Sequence, residues 1–121
     1  MQGHFIWTEL LTSDVEAAKR EYAAVAGWTY EAAPMPQGGT YWVASRDGKP
    51  CAGIMGLESL PPGSTPHWFV YLACEDVDAT CRLMSEQGGE VTKPPWDIPN
   101  VGRIAVVNDT QGACFGLMRP V

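Results

Sequence analysis

Few side chains in this sequence have the type and spacing that covalent or metal chemistry requires. The four cysteines (Cys51, Cys74, Cys81 and Cys114) form no C-x-x-C pair and no cluster with the two histidines, so neither a zinc site nor a redox dithiol is predicted. No G-x-S-x-G motif and no phosphate-binding glycine motif occurs, which leaves no candidate nucleophile or phosphate loop. We interpret the cysteines as small, buried, reduced thiols.

Aromatic side chains are the more prominent candidates for ligand contact. The chain has five tryptophans, and a ring stacked on a flat or cationic ligand contributes about 1 kcal/mol. Any one of them can instead belong to the core, which we expect of Trp28 and Trp68. The proline-rich segment Lys93–Asn100, which contains Trp96, is expected to be a stiff binding loop. Arg103 follows it and either clamps an anionic group of a ligand or pairs with a surface acid.

Composition narrows the classes of partner. Eight Lys and Arg residues against 14 Asp and Glu give a net charge of −6, which disfavours nucleic acid and anionic membranes. No basic segment precedes an apolar run at the N-terminus, and no apolar stretch approaches about 18 residues. We therefore expect a soluble, cytoplasmic protein.

The sequence repeats itself at an offset of 62 residues, the distance between Asp14 and Asp76. The same offset relates two sets of residues: Leu10, Val15, Ala17, Arg20 and Gly27 correspond to Leu72, Val77, Ala79, Arg82 and Gly89. Two copies predict a pseudo-symmetric pair, because a solenoid needs at least about three units. The halves are not expected to be separate domains, because roughly 60 residues would be only marginally stable alone. We predict a single domain over 1–121, with module one at 1–59, a linker at 60–66 and module two at 67–121.

Each module reads as one strand, one helix and three further strands. The first strands are expected over 5–11 and 68–74, and the helices after them, with Thr12 or Ser13 capping the first. Val15, Ala18, Tyr22 and Val25 are expected to form the sheet-facing side of that helix. Glycines at 27 and at 88–89 end the helices. The later strands are expected over 28–32, 40–46, 51–57, 90–93, 103–107 and 114–118.

This paired order of strands, helices and turn residues resembles that of the vicinal oxygen chelate superfamily, which includes glyoxalase I, bleomycin-resistance proteins and extradiol dioxygenases. The motifs that carry the resemblance are Trp7-Thr8-Glu9-Leu10 with Asp14, His67-Trp68-Phe69-Val70-Tyr71 with Asp76, and Gly102-Arg103 with Asp109-Thr110-Gln111-Gly112. The resemblance implies an α+β fold in which two tandem βαβββ modules form a curved mixed-sheet cup with the helices outside.

The resemblance also implies where a divalent metal would be held, on the first and last strand of each module. Counting from the aspartates and by the repeat offset puts these positions at Trp7, Phe69, Gly116 and Ile54. None of them has a side chain that binds a metal. A displaced site is an alternative: Glu9 and His67 lie two residues from the expected positions, and Glu58 is a possible third ligand. Otherwise Glu9 is a hydrogen-bonded acid in a polar pocket, and His67 is a strand-edge residue.

We therefore predict a metal-independent protein, without a cofactor, that binds a small aromatic or hydrophobic ligand in the cup and pairs as a homodimer. The expected ligand-binding residues are Trp7, Glu9, Trp42, Met55, His67, Phe69, Tyr71, Trp96 and Arg103. The alternatives are a metal-dependent lyase, isomerase or dioxygenase that uses a divalent ion near Glu9 and His67, and a scaffold whose pocket has collapsed onto its own aromatic rings.

Overall fold

The computed structural model describes residues 1–36 and 38–121. The elements follow the chain in this order: β1 Phe5–Thr12, α1 Val15–Ala26, β2 Thr29–Pro34, β3 Thr40–Arg46, β4 Lys49–Gly56, β5 His67–Ala73, α2 Val77–Glu86, β6 Glu90–Ile98, β7 Gly102–Asn108 and β8 Cys114–Pro120. The order βαβββ therefore occurs twice. The α+β class and the two tandem βαβββ modules are confirmed.

The chain divides into two compact units. The first unit is Thr8–Trp68, and the second unit is Met1–Trp7 with Phe69–Val121. In the first unit the strand order is β2-β3-β4-β1, with β1 and β4 parallel and the other pairs antiparallel. In the second unit the order is β5-β8-β7-β6, with β5 and β8 parallel. Each unit therefore has both parallel and antiparallel strand pairs. The predicted single domain over 1–121 and the bounds of its modules stay predictions.

Each helix begins at an aspartate. The carboxylate Oδ1 of Asp14 accepts a hydrogen bond from the Ala17 amide at 3.0 Å, and that of Asp76 accepts one from Ala79 at 2.9 Å. The expected cap at Thr12 or Ser13 is therefore wrong, because the Asp14 carboxylate satisfies the free amide of the first turn. Gly27 ends α1 in the left-handed conformation at φ 70°, as predicted.

The helix of each unit packs on one face of its sheet. Leu10, Ala18 and Ile54 form the first core, and they pack against Val15, Tyr22, Trp28, Tyr30 and Trp42. Cys74, Val77, Cys81, Ala105, Val107 and Leu117 form the second core. Trp28 belongs to the first core as expected, and Tyr22 stacks on it at 5.2 Å between centroids. Val25 does not face the sheet: it is 73% exposed near the end of α1.

The segment expected to be a loop is part of strand β6, which extends to Ile98. Its pairing with β7 shifts register between Val91 and Lys93 and again between Lys93 and Trp96. Proline is tolerated in an edge strand at such a bulge, because no ladder hydrogen bond needs its missing N–H. The prolines thus interrupt the ladder without ending the strand.

None of the helices in the described part of the chain is long and apolar enough to cross a membrane.

Candidate functional site

The candidate site is built on the sheet faces that point away from the helices. Successive side chains of a strand point to opposite faces, so residues next to core residues lie on the other side. In the second unit, Leu72 and Leu117 face α2. Their neighbours Tyr71 and Gly116, which are register partners, therefore lie on the face away from α2.

This face of the second unit, which we call the aromatic face, includes Phe69, Tyr71, Ala73, Trp96, Ile104, Val106, Gly116 and Met118. Phe69 and Tyr71 meet edge to face at 5.1 Å between centroids, with an interplanar angle of 77°. Cross-strand partners share a face; Trp96 pairs with Ile104, which pairs with Met118. Three of the predicted aromatic residues therefore share one face.

Gly116 makes room for the two rings. A Cβ at Gly116 would collide with the ring of Tyr71 and lie 3.0 Å from Cε2 of Phe69. Both rings are buried, with 7% and 8% exposure. The rings of Phe69 and Tyr71 therefore pack directly against the β8 backbone at Gly116.

The equivalent face of the first unit carries a buried acid. The hydroxyl of Tyr41 donates a hydrogen bond to Oε1 of Glu9 at 2.9 Å, and Glu9 is 7% exposed. Glu9 is the register partner of Gly53, and the Tyr41 hydroxyl and ring lie where a Cβ of Gly53 would be. Glu9 is therefore a hydrogen-bonded acid, as one of the two predictions for it stated, and the Tyr41 hydroxyl is a donor to it.

The last-strand position assigned to Ile54 is wrong. Ile54 is fully buried against α1 and pairs with Leu10, whereas Gly53 pairs with Glu9. Gly53 therefore corresponds to Gly116. Val43 pairs with Gly53 and Val106 pairs with Gly116, so the offset between β3 and β7 is already 63 residues, one more than that of the helices. The additional residue of the second unit therefore lies between α2 and β7.

A divalent metal does not fit these four positions. Glycine has no side chain, and tyrosine rings occupy the space beside Gly53 and Gly116. Phenylalanine has no donor atom, and the indole nitrogen of Trp7 is a hydrogen-bond donor only. Trp7 is half-buried in β1.

The residues of the alternative metal site lie apart. His67 is exposed at the start of β5, with its Nδ1 2.7 Å from the carbonyl oxygen of Thr65. The Glu58 carboxylate lies against Gly56, beside Trp42 on the α1 side of the sheet. Within residues 1–36 and 38–121, no three His, Cys, Asp or Glu side chains are grouped so that they could hold a metal ion.

Two further expected residues, Trp42 and Met55, lie on opposite faces of the strands of the first unit. Trp42 packs against the first core, on the α1 side, with Nζ of Lys19 3.2 Å from its ring centroid. It therefore does not share a face with Glu9. Met55 is half-buried in β4, two residues from Gly53, and pairs with Leu11, so it lies on the same face as Glu9.

Arg103 forms an ion-pair network, which is the second of its two expected roles. Its guanidinium donates to both carboxylate oxygens of Asp78 at 2.7 and 3.0 Å, and its Nη1 lies 3.2 Å from Asp97. These hydrogen bonds lower the pKa of Asp78 and raise that of Arg103. The network connects the first turn of α2 to β6 and β7.

Tyr41 and Gly53 are the site residues that the sequence interpretation missed. Tyr41 is part of an ordinary strand pattern, and its contact with Glu9 cannot be predicted until the register of β3 with β4 is known. Gly53 also has no usable signal in the sequence, because the residue that shifts the offset to 63 lies before β7 and is located only by the strand register.

A model of the Glyoxalase/Bleomycin resistance protein/Dioxygenase superfamily matches residues 3–116. The chain is 41% identical over 118 residues to "Putative glyoxylase CFP32" of Mycobacterium bovis, which covers 98% of this chain and 44% of that protein. It is 34% identical over 125 residues to the anthracycline biosynthesis protein DnrV of Streptomyces peucetius, covering 93% and 46%. The chain thus spans less than half the length of these curated relatives.

Solved structures show the same fold. The crystal structure of methylmalonyl-CoA epimerase from Mycobacterium tuberculosis superimposes with a TM-score of 0.70 at 17% identity, covering 98% of this chain and 88% of that one. The repeated βαβββ order, the family match and these relatives agree, and the chain belongs to the glyoxalase, bleomycin resistance protein and dioxygenase superfamily.

Proposed function

We propose that this protein binds a flat aromatic or hydrophobic small molecule at the aromatic face of its second unit, without a metal. The observation that carries the proposal is the edge-to-face pair of Phe69 and Tyr71 over Gly116. Buried rings that pack on their neighbours are already ordered, so they lose little conformational entropy when a ligand binds. More of the free energy of the contact therefore contributes to affinity.

The half-buried Trp96 is the proposed stacking residue of this face. Nζ of Lys93 lies 3.9 Å from its ring centroid, a cation–π contact. Phe69 and Tyr71 of β5 lie on the same face, with β8 and β7 between them and Trp96, about 14 Å away across the sheet, and form the apolar floor. A planar ligand that stacks on Trp96 and contacts this floor buries its apolar surface and gains about 1 kcal/mol per ring contact.

The substitutions at the expected metal positions support binding without a metal. Within the first unit, the carboxylate of Glu9 accepts a hydrogen bond from the Tyr41 hydroxyl, and Gly53 stands at the last-strand position. The name of the relative DnrV, an anthracycline biosynthesis protein, supports polycyclic aromatic compounds as the ligand class.

Quenching of tryptophan fluorescence by an anthraquinone tests this proposal. Trp96→Leu is expected to weaken binding about fivefold, which corresponds to the loss of one ring contact. Phe115→Leu is the matched control, because Phe115 packs against the core on the α2 side of the same sheet and should bind as the wild type does. Equal affinities of the wild type and the Trp96→Leu variant would contradict the proposal.

A second candidate is a metal-dependent lyase, isomerase or dioxygenase, which the buried Glu9 and the enzyme names of the relatives favour. Metal analysis after dialysis and addition of Ni²⁺, Zn²⁺, Mn²⁺ or Fe²⁺ distinguishes the two. Stoichiometric metal that is lost in Glu9→Gln or His67→Ala would establish this candidate instead.

The homodimer and the cytoplasmic location stay predictions. Light scattering coupled to size-exclusion chromatography measures the first, and fractionation of cells that express the protein tests the second.

A further inference from the structure

The α1 side of the first unit has a groove that the proposed function does not use. Its volume is about 630 Å³, and its lining includes Val15 and Glu16 of α1, Trp42 of β3, Gly56 of β4, and Glu58. A volume of this size suits a small molecule. We call it the acidic groove.

Trp42 in this groove already holds an ammonium group of the protein itself. Nζ of Lys19 lies 3.2 Å from the centroid of the Trp42 ring and 5.8 Å from that of Tyr30. The same Nζ is 3.3 Å from Oε2 of Glu16. The Lys19 side chain is only 17% exposed, so these contacts are partly shielded from water. The local surroundings therefore suit an organic cation, which an indole ring attracts.

Glu58 adds a second negative charge to the groove. Its carboxylate lies against the backbone at Gly56, in space that any other residue's Cβ would fill. Across residues 1–36 and 38–121, no lysine or arginine forms an ion pair with Glu58. The net charge of −6 on the whole chain also favours a cation over an anion.

We propose that the acidic groove is a binding site for a small organic ammonium ion. The ring of Trp42 supplies cation–π attraction, and the carboxylates of Glu58 and Glu16 supply charge. A weakly hydrated alkylammonium fits this combination better than a small inorganic cation, which prefers several oxygen ligands. Lys19 competes with the ligand for Trp42 and Glu16, so its removal should strengthen binding.

Titration of the ¹⁵N-labelled protein with choline, followed through the indole N–H signals, tests the proposal. The signal that disappears in Trp42→Phe identifies Trp42. Choline is expected to shift this signal in a saturable manner. Its uncharged isostere 3,3-dimethylbutan-1-ol should not, because it has the same shape without the charge. An equal shift with the alcohol would overturn the proposal.

Two pairs of variants test the assignment to this groove. Glu58→Gln should weaken choline binding about threefold, whereas Glu31→Gln, which removes an exposed charge from β2 of the same unit, should leave it unchanged. Lys19→Met should strengthen binding at least about twofold, whereas Arg20→Met, one residue further along α1, should not.

Identical affinities in Glu58→Gln and Glu31→Gln would overturn the proposal, and so would weaker binding in Lys19→Met. All four variants are checked for native chemical-shift dispersion, and a variant that fails this check is replaced by Glu58→Ala or Lys19→Leu. The result is independent of the aromatic face, because none of these residues belongs to it.

Discussion

Replacement of Gly116 by alanine tests how tightly the aromatic face is packed. The new methyl group would collide with Cδ1 and Cε1 of Tyr71 and lie 3.0 Å from Cε2 of Phe69. The Tyr71 ring must then move by about 1 Å to restore ordinary carbon contact. It cannot do so freely, because it is 7% exposed and packs on Phe69.

Two opposing effects determine how much Gly116→Ala changes the free energy of unfolding. Overpacking of a buried site costs about 1–3 kcal/mol, while alanine in place of glycine within a strand recovers about 0.5–1 kcal/mol. The free energy of unfolding should therefore fall by about 1–2 kcal/mol, and Tm by roughly 4–8 °C for a chain of this length. Urea denaturation and calorimetry measure both quantities.

Gly56→Ala is the matched control, since Gly56 is also a strand glycine. The nearest atoms to its new methyl group belong to the carboxyl end of Glu58, an exposed side chain that can turn away. We expect the free energy of unfolding to stay the same or to rise by up to about 1 kcal/mol. If Gly116→Ala were as stable as the wild type, or no less stable than Gly56→Ala, the described packing of Tyr71 over Gly116 would be refuted. Addition of Tyr71→Leu to Gly116→Ala should recover about 1 kcal/mol of coupling energy.

Three other predictions concern stability and reactivity. Tyr41→Phe should lower the free energy of unfolding by about 1–3 kcal/mol in urea, because it removes a donor to the buried Glu9 carboxylate; an unchanged midpoint would contradict this. Hydrogen bonding to Arg103 lowers the pKa of Asp78 below its ordinary value of 3.8, so this stabilisation is present above about pH 4 and is lost as the pH falls through the lowered pKa. Arg103→Met should therefore lose less stability than the wild type between neutral pH and this acid range, and parallel pH profiles would refute the role of the pair. Burial raises the pKa of the Cys74 and Cys81 thiols, so mass spectrometry should find both alkylated by iodoacetamide much more slowly than the exposed Cys51; equal rates in the native protein would contradict their burial.

Much of the fold could be predicted from the sequence, because local signals specify it. The offset of 62 residues, the aspartates that begin the helices and the glycines that end them all act within a few residues of their own position. The repeated βαβββ order follows from these signals. The expected cap at Thr12 or Ser13 was wrong by one or two residues, since several residues near Asp14 have suitable side chains and only the geometry selects one.

The site was harder to predict, because it depends on strand register and on pairing between distant segments. Arg103 could be assigned two roles until the structure placed Asp78 and Asp97 within reach. Trp42 and Tyr41 are adjacent in sequence but lie on opposite faces of β3. One additional residue before β7 moved the last-strand position from Ile54 to Gly53. The prolines of β6 suggested a loop because a bulge at a sheet edge leaves no signature in sequence alone.

We propose that this member of the superfamily binds its ligand without a metal. Calorimetric titration of an anthraquinone into protein dialysed against EDTA, repeated after addition of Ni²⁺ or Mn²⁺, tests this proposal most directly. We predict the same affinity and stoichiometry in both titrations. Binding that occurs only after one equivalent of metal has been taken up would contradict the claim.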